Sequence, residues 1–272
     1  MTFQALQAAQ VRRATAVNSR RSARAAADAA LRTLAAAAVS AALSFGAWQA
    51  WRWATTSGAF ALREIRFTGL AHAGEQELIA RSGLHLGENL FQADLARAAR
   101  GMETHPWVEA ARLERRLPGA VLATVIEHRP AAMVQLGGLY VLDDEGKLFK
   151  RAAPDDGLDL PLITGLSREG WQAQQLRLFG ALHLLDTWQA SGFPVAALSE
   201  VRLDEGGGTT LFAHDGEVVQ EVRLGSGDLS LKLRRLAQVR AALGRRGEKA
   251  ARIDLDNPAR PDQAAATLAD KR

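Results

Sequence analysis

The sequence predicts an α+β fold: a single N-terminal transmembrane helix, a small strand–helix–helix–strand–strand unit, and a mostly antiparallel β domain with flanking helices. Three observations carry this. Residues 33–51 hold no charge; the apolar positions of 62–130 switch between two-residue and three-to-four-residue periods; and short alternating runs separated by Gly and Asp turns dominate 131–257.

The nineteen residues from Thr33 to Trp51 lie between Arg32 and Arg52. At 1.5 Å per residue they span roughly 28 Å, about the hydrocarbon thickness of a bilayer. A helix satisfies its backbone groups internally, as hydrocarbon demands. Trp48, Trp51 and Trp53 crowd one end, where amphipathic rings settle at headgroup level, so these three are the expected membrane-interface residues of a helix over 33–53. A cleaved secretion signal is the main rival. The run is long for a signal, however, and ends in tryptophans rather than a small-x-small site. A soluble helix would need burial all round.

Residues 1–32 carry six arginines against Asp28, a net of +5, while the whole chain is +4. The basic character therefore belongs to the tail and gives no reason to expect nucleic-acid binding. The positive-inside rule assigns this tail to the cytoplasm and the bulk of the chain to the far side, as a single-pass type II protein of the cytoplasmic (inner) membrane. Residues 1–30 show no clear apolar stripe and are expected to be disordered, or helical only near the bilayer. The absence of cysteine agrees with export.

After a short tether, Ala54 to Ala61, comes the first compact unit. Ile65 and Phe67 share one face of a strand that Gly69 stops. Glu75 to Ser82 is a short helix with Leu78 and Ile79 inward and Gly83 as its stop. Leu84, Leu86, Leu90 and Phe91 anchor the Gly87-Glu88-Asn89 turn. Asp94 opens a second helix striped by Leu95, Ala98, Ala99 and Met102, which His105-Pro106 ends. Trp107–Leu117 and Ala120–Glu127 form a hairpin about Pro118-Gly119, and the second of these strands is fairly apolar on both faces.

The second unit begins with strands over 133–136, 139–142 and 147–150, the last two joined by an Asp143-Asp144-Glu145-Gly146 turn. Pro161 marks an edge or strand start. Glu169–Ala190 is helical, with Leu176, Phe179, Leu182 and Leu185 recurring at three- and four-residue steps. A meander follows through Val201 and Leu203, Thr209–Ala213 and Val218–Leu224. A helix capped by Asp228 or Ser230 carries Leu229, Leu233, Leu236 and Leu243. Ala251–Leu255 is the expected final strand, and 258–272 an expected disordered tail.

Several short motifs fall in order along this frame. His105-Pro106-Trp107-Val108 resembles a Pro-Trp-Val signature, Arg115-Arg116-Leu117-Pro118-Gly119 an Arg-x-x-Pro-x hairpin, and Glu127-His128-Arg129-Pro130-Ala131-Ala132 a Glu-x-x-Pro-x-Ala junction. The 62–130 unit resembles a POTRA domain, and anchor, POTRA unit and junction together resemble the FtsQ/DivIB family of bacterial cell-division proteins. The resemblance implies a divisome protein at the septum that bridges early and late components. It also implies that the C-terminal strand is an edge to which FtsB, arriving with FtsL, adds a strand near the septal peptidoglycan synthase. Carried over by motif, that edge is Arg252, Ile253, Asp254, Leu255, Asp256 and Asn257, with Asp256 and Asn257 standing where the family has Arg and Tyr. In the first unit the plausible edge is Val108–Arg116.

The chain carries no recognisable chemistry. His72, His85, His105, His128, His183 and His214 fall in separate settings without metal-ligand spacing. There is no phosphate loop, no nucleophile elbow and no calcium-loop spacing in Asp143–Gly146, which is expected to be a solvated turn. Trp107 and Trp171 are expected in core or interface. The expectation is a non-enzymatic protein with no cofactor, no metal and no small-molecule substrate, whose partners are FtsB and FtsL homologues, other divisome proteins and the membrane. The alternative is a POTRA-containing secretion or outer-membrane assembly component, which would show a β-barrel or repeated POTRA units.

Overall fold

The computed structural model describes residues 3–169, 171–257, 259, 260 and 263–269, with side chains except at 3–27 and 171–173. Trp171's side chain, and positions 258, 261, 262 and 270–272 of the expected tail, lie outside the described residues.

Helix α1 runs from Phe3 to Thr56. Its stretch Asp28–Thr56 is long and apolar enough to cross a membrane. The expected disorder of the basic tail is corrected, since the helix continues back to Phe3. No Gly or Pro occurs before Gly46, and the Ala, Arg and Gln of the tail are strong helix formers that extend a helix already nucleated.

The chain forms two compact units: Met1–Arg66 with Leu84–Leu95 and Leu113–Ala123, and Phe67–Gly83 with Ala96–Arg112 and Thr124–Arg272. In the first, Ala54–Ala61 is no free tether. A 3-10 turn over Gly58–Phe60 follows α1, and the strip behind it is laced to the 87–90 loop. Leu62 N–H donates to Glu88 O at 2.7 Å, and Leu90 N–H to Phe60 O at 2.9 Å. Leu62 and Leu90 are fully buried, whereas Leu86, expected as an anchor, is 69% exposed.

The POTRA-like elements are β1 (Glu64–Thr68), α2 (Glu75–Ser82), α3 (Leu95–Met102), β2 (Val108–Arg116) and β3 (Ala120–Glu127). Their sheet order is β1-β3-β2, which leaves β2 at a margin. Gly83 closes α2 in the left-handed region at φ 69°. Leu78, Leu95, Ala98 and Met102 are buried as their spacing predicts. β3 differs from its reading. Val121, Ala123 and Val125 are buried, but Ile126 on the other face is 55% exposed, so only one face is fully covered.

The remaining strands make one nine-stranded sheet: β4 (Pro130–Gln135), β5 (Leu139–Asp143), β6 (Leu148–Arg151), β7 (Leu162–Thr164), β8 (Leu198–Leu203), β9 (Thr209–Asp215), β10 (Val218–Gly225), β11 (Ala250–Asp254) and β12 (Ala265–Leu268). The order is β12-β11-β10-β9-β8-β7-β4-β5-β6. Most neighbours are antiparallel. β7 is parallel to both β4 and β8, and β11 is parallel to β10; helix α4 (Trp171–Ala190) makes the crossover from β7 to β8 and helix α5 (Leu229–Gly244) that from β10 to β11, while β5 and β6 lie along the chain between β4 and β7. Pro161 thus begins an interior strand, and its carbonyl accepts Met133 N–H at 2.9 Å.

The core gathers Trp188, Leu178 and Leu184 of α4, Leu233 and Leu236 of α5, and the inward residues Val134, Ile163, Val201, Leu211, Val222 and Ile253 of the strands. The stripe read on α4 is corrected in part. Leu182 and Leu185 are buried, but Leu176 is 78% and Phe179 51% exposed, and Leu178, Ala181, Leu184 and Trp188 complete the buried face. The large apolar residues of this helix fall on more than one side, so their spacing does not single out one face.

Candidate functional site

The expected docking strand is the natural place to build the site. β10 ends in Leu224-Gly225, and Gly225 turns with φ +62°. A Cβ there would lie 2.0 Å from the Asp256 carboxylate, so only glycine lets Asp256 fold back over the turn. That carboxylate faces Lys232 at 3.7 Å and Arg223 at 3.6 Å. Lys232 is held in turn by the carbonyls of Leu224 and Ser226, and Asp228 caps α5 by accepting Leu231 N–H at 2.9 Å. Around this corner, Leu231, Lys232, Leu255 and Asp256 help line a cleft of about 270 Å³.

β11 is fastened to β10 by its backbone and by side chains on both faces. Its register sets Val222 opposite Ile253, and Leu255 N–H donates to Arg223 O at 2.8 Å. Arg252 pairs with Glu221 at 3.1 Å on the outer face. On the inner face, fully buried Gln220 donates from Nε2 to Ala250 O and accepts Arg240 Nε–H, both at 2.9 Å. Burial pushes the Arg240 pKa down, opposed by the charge of Asp215, and among the described residues its Nη2 has no hydrogen-bond partner. The guanidinium rests 5.2 Å from the Phe193 ring and 5.8 Å from that of Trp188.

These facts correct the expected open margin at residues 252–257. β11 lies between β10 and β12, and β12 pairs with it antiparallel through Arg252↔Thr267, Ile253↔Ala266 and Asp254↔Ala265. Asp254 accepts Asp256 N–H and Asp256 is engaged within its own domain, so neither stands ready for a partner. Ile253 and Leu255 are core residues, 0% and 2% exposed. A proline at 253 would therefore break the sheet rather than probe a margin. Asn257 accepts Arg260 N–H. The expected tail is corrected over 265–268, which forms a strand.

The margin has moved one strand outward. β12 ends the sheet, and its four residues are all exposed. Ala269 N–H donates to Lys249 O at 2.8 Å, and the register from Ala265 to Thr267 is unbroken. Strand alternation then turns the Thr267 N–H inward and the Ala266 N–H outward. Among the described residues nothing pairs with that outward side. The missed signal was weak: Ala265-Ala266-Thr267-Leu268 is too short and too alanine-rich to read as a strand.

The junction motif is built differently. The Glu127 carboxylate, 6% exposed, accepts the N–H groups of Ala71, His72 and Ala73 at 2.9–3.2 Å and faces His72 Nδ1 at 3.1 Å. Burial works against its ionisation, but these donors outweigh it and hold its pKa below the ordinary value. His128, fully enclosed, contacts the equally buried Asp143 at 2.8 Å. Asp143 also accepts Glu145 and Lys147 N–H, so the residue expected in a solvated turn is the turn's buried organiser. Trp107, 7% exposed, stacks on His72 at 4.0 Å with Lys150 over its ring at 4.8 Å. The Lys150 ion pair holds the Asp156 pKa low despite burial. Among the described residues no group of His, Asp and Glu has the arrangement of a metal site.

At the end of α1, Trp51 and Trp53 are each 60% exposed and Trp48 is 52% exposed. One apolar anchor helix, a three-stranded module with two helices and a nine-stranded β domain define a single-pass membrane protein of POTRA type. Comparison with known proteins gives the family. Residues 60–128 match the FtsQ-type POTRA domain and residues 132–256 the C-terminal domain of cell division protein FtsQ/DivIB. The chain is 44% identical to the cell division protein FtsQ of Anaeromyxobacter sp. (strain K), over 85% of this chain and 79% of that protein. It is 46% identical to that of Myxococcus fulvus, over 77% and 74%, and 34% identical to that of Geobacter sp. (strain M21), over 79% of each. The chain belongs to the FtsQ/DivIB family of cell-division proteins.

Proposed function

We propose that this chain is a non-enzymatic scaffold of the septal machinery that binds an FtsB homologue, together with FtsL, by strand addition at the outward side of β12. The observation that carries the reading is the position of β12: a terminal, fully exposed strand with its outer backbone groups unpaired among the described residues. Such a strand is a template for another chain's backbone, and Ala265 and Ala266 let that backbone approach closely. The arginine-rich tail, at net +5, lies in the cytoplasm, and the POTRA and β domains lie on the outer side of the inner membrane at the division septum.

The test is capture of the FtsB homologue by the full chain in membranes. Ala266→Pro removes one outward donor; losing a hydrogen bond of about 1.5 kcal/mol corresponds to roughly tenfold weaker capture. Removal of residues 258–272 should abolish capture. Stronger capture after that removal would refute the reading, because β12 would then be a plug over β11. Depletion in the host should give filamentous cells with unfinished septa; normal division would also refute the role.

A further inference from the structure

We infer that the loop 85–92 is a second membrane contact, clamped to the end of α1 so that Leu86 lies in the headgroup layer of the bilayer. Trp51 is the last residue of the charge-free run and marks the hydrocarbon boundary. The loop reaches back to that depth. The Phe91 ring lies 6.1 Å from that of Trp51 and 5.1 Å from that of Phe60, which meets Trp53 edge-on at 5.7 Å. Asn89 Nδ2 donates to the carbonyls of Ala54 at 2.8 Å and Ser57 at 3.1 Å, and Gln92 Nε2 to that of Thr55 at 3.0 Å. These are carbonyls that a helix leaves unpaired at its C-terminus, so the loop is their cap.

The joint is therefore stiff, and it sets residues 89–92 of the loop level with residues 51–57. Those residues cover about 9 Å of rise, comparable with the ~5–8 Å interfacial layer on each side of a bilayer. Leu84 just before this loop and Leu90 within it are buried, yet Leu86 between them is 69% exposed. Gly87 beside it is fixed by its N–H to Leu62 O at 2.7 Å. A leucine held out of the protein core three residues from this joint is covered by lipid. The same bilayer that receives α1 is the partner, and the consequence is an 85–92 loop held against the membrane rather than swinging on a leash.

The full chain has no cysteine, so Leu86→Cys can carry one nitroxide without background. In phospholipid nanodiscs the label is expected to collide about tenfold less often with a water-soluble nickel complex than a free nitroxide does, while staying accessible to oxygen, as for a group 5–10 Å deep in the interface. Collision rates equal to those of the free nitroxide would overturn the proposal. Replacing Asn89 and Gln92 together by Ala in the labelled chain is expected to return the label to water with α1 still inserted. A label that stays buried after that change would overturn the clamp. Because Leu86 is exposed, the labelled chain is expected to keep its circular dichroism spectrum.

Discussion

Glu127→Gln is the most informative single change to the fold, because one buried carboxylate closes the 71–73 loop. In the native chain its two oxygens accept three backbone N–H groups and face the His72 ring. A charged acceptor makes each such bond worth about 1.5–3 kcal/mol, though the values do not add. Gln keeps one oxygen and turns an NH2 toward donors, so one or two of these bonds are lost, a destabilisation of about 2–4 kcal/mol. For a unit of this size, that corresponds to a melting-temperature drop of about 5–15 °C. The pH dependence follows from the lowered pKa of Glu127. Its contribution is fully present above the unfolded value of about 4.5 and fades as pH falls through the lower folded value. Thermal melts of the full chain in detergent, read by near-ultraviolet dichroism of Trp107 beside the loop, should show a large difference at pH 7 that shrinks towards pH 3. Equal melting temperatures at pH 7, or a gap that widens on acidification, would refute the reasoning.

Further changes test other parts of the fold. Gly165 has φ +83°, and a Cβ there would sit 2.0 Å from Leu203 O, so Gly165→Ala should cost more than ~3 kcal/mol. Gly192→Ala, at φ +86° with open space around it, should cost only about 1–2 kcal/mol, both changes being read by urea titration of the full chain in detergent. Asp228→Ala removes the cap of α5 and should cost about 1 kcal/mol in that assay, with Asp228→Asn restoring most of it.

The elements were legible where one local rule decided them. The α3 stripe at Leu95, Ala98 and Met102, the Gly83 stop and the Asp228 cap each depend on neighbours within one or two helical turns. Readings slipped where several local answers were equally good. α4 offers apolar residues around its whole circumference, and only the sheet beneath it selects Trp188 and Leu184 over Leu176. Asp143 looks like any turn aspartate until His128, fifteen residues earlier, is buried against it. The candidate site failed for the same reason. Ile253-Asp254-Leu255 is a good strand, but whether a strand is marginal depends on what arrives on its other side, and here that is a weak four-residue segment.

By itself the sequence determined a charge-free span between arginines, the order of elements after it and the absence of metal-ligand or nucleophile spacings, because these depend on local composition and periodicity. Only the tertiary structure decided which strand ends the sheet, how Asn89 and Gln92 lock the anchor to the loop beside it, and where Glu127 and Asp143 spend their charge. Those outcomes rest on contacts between residues far apart in the chain. Their stability comes from desolvation and pairing at closure, which no short window of sequence contains.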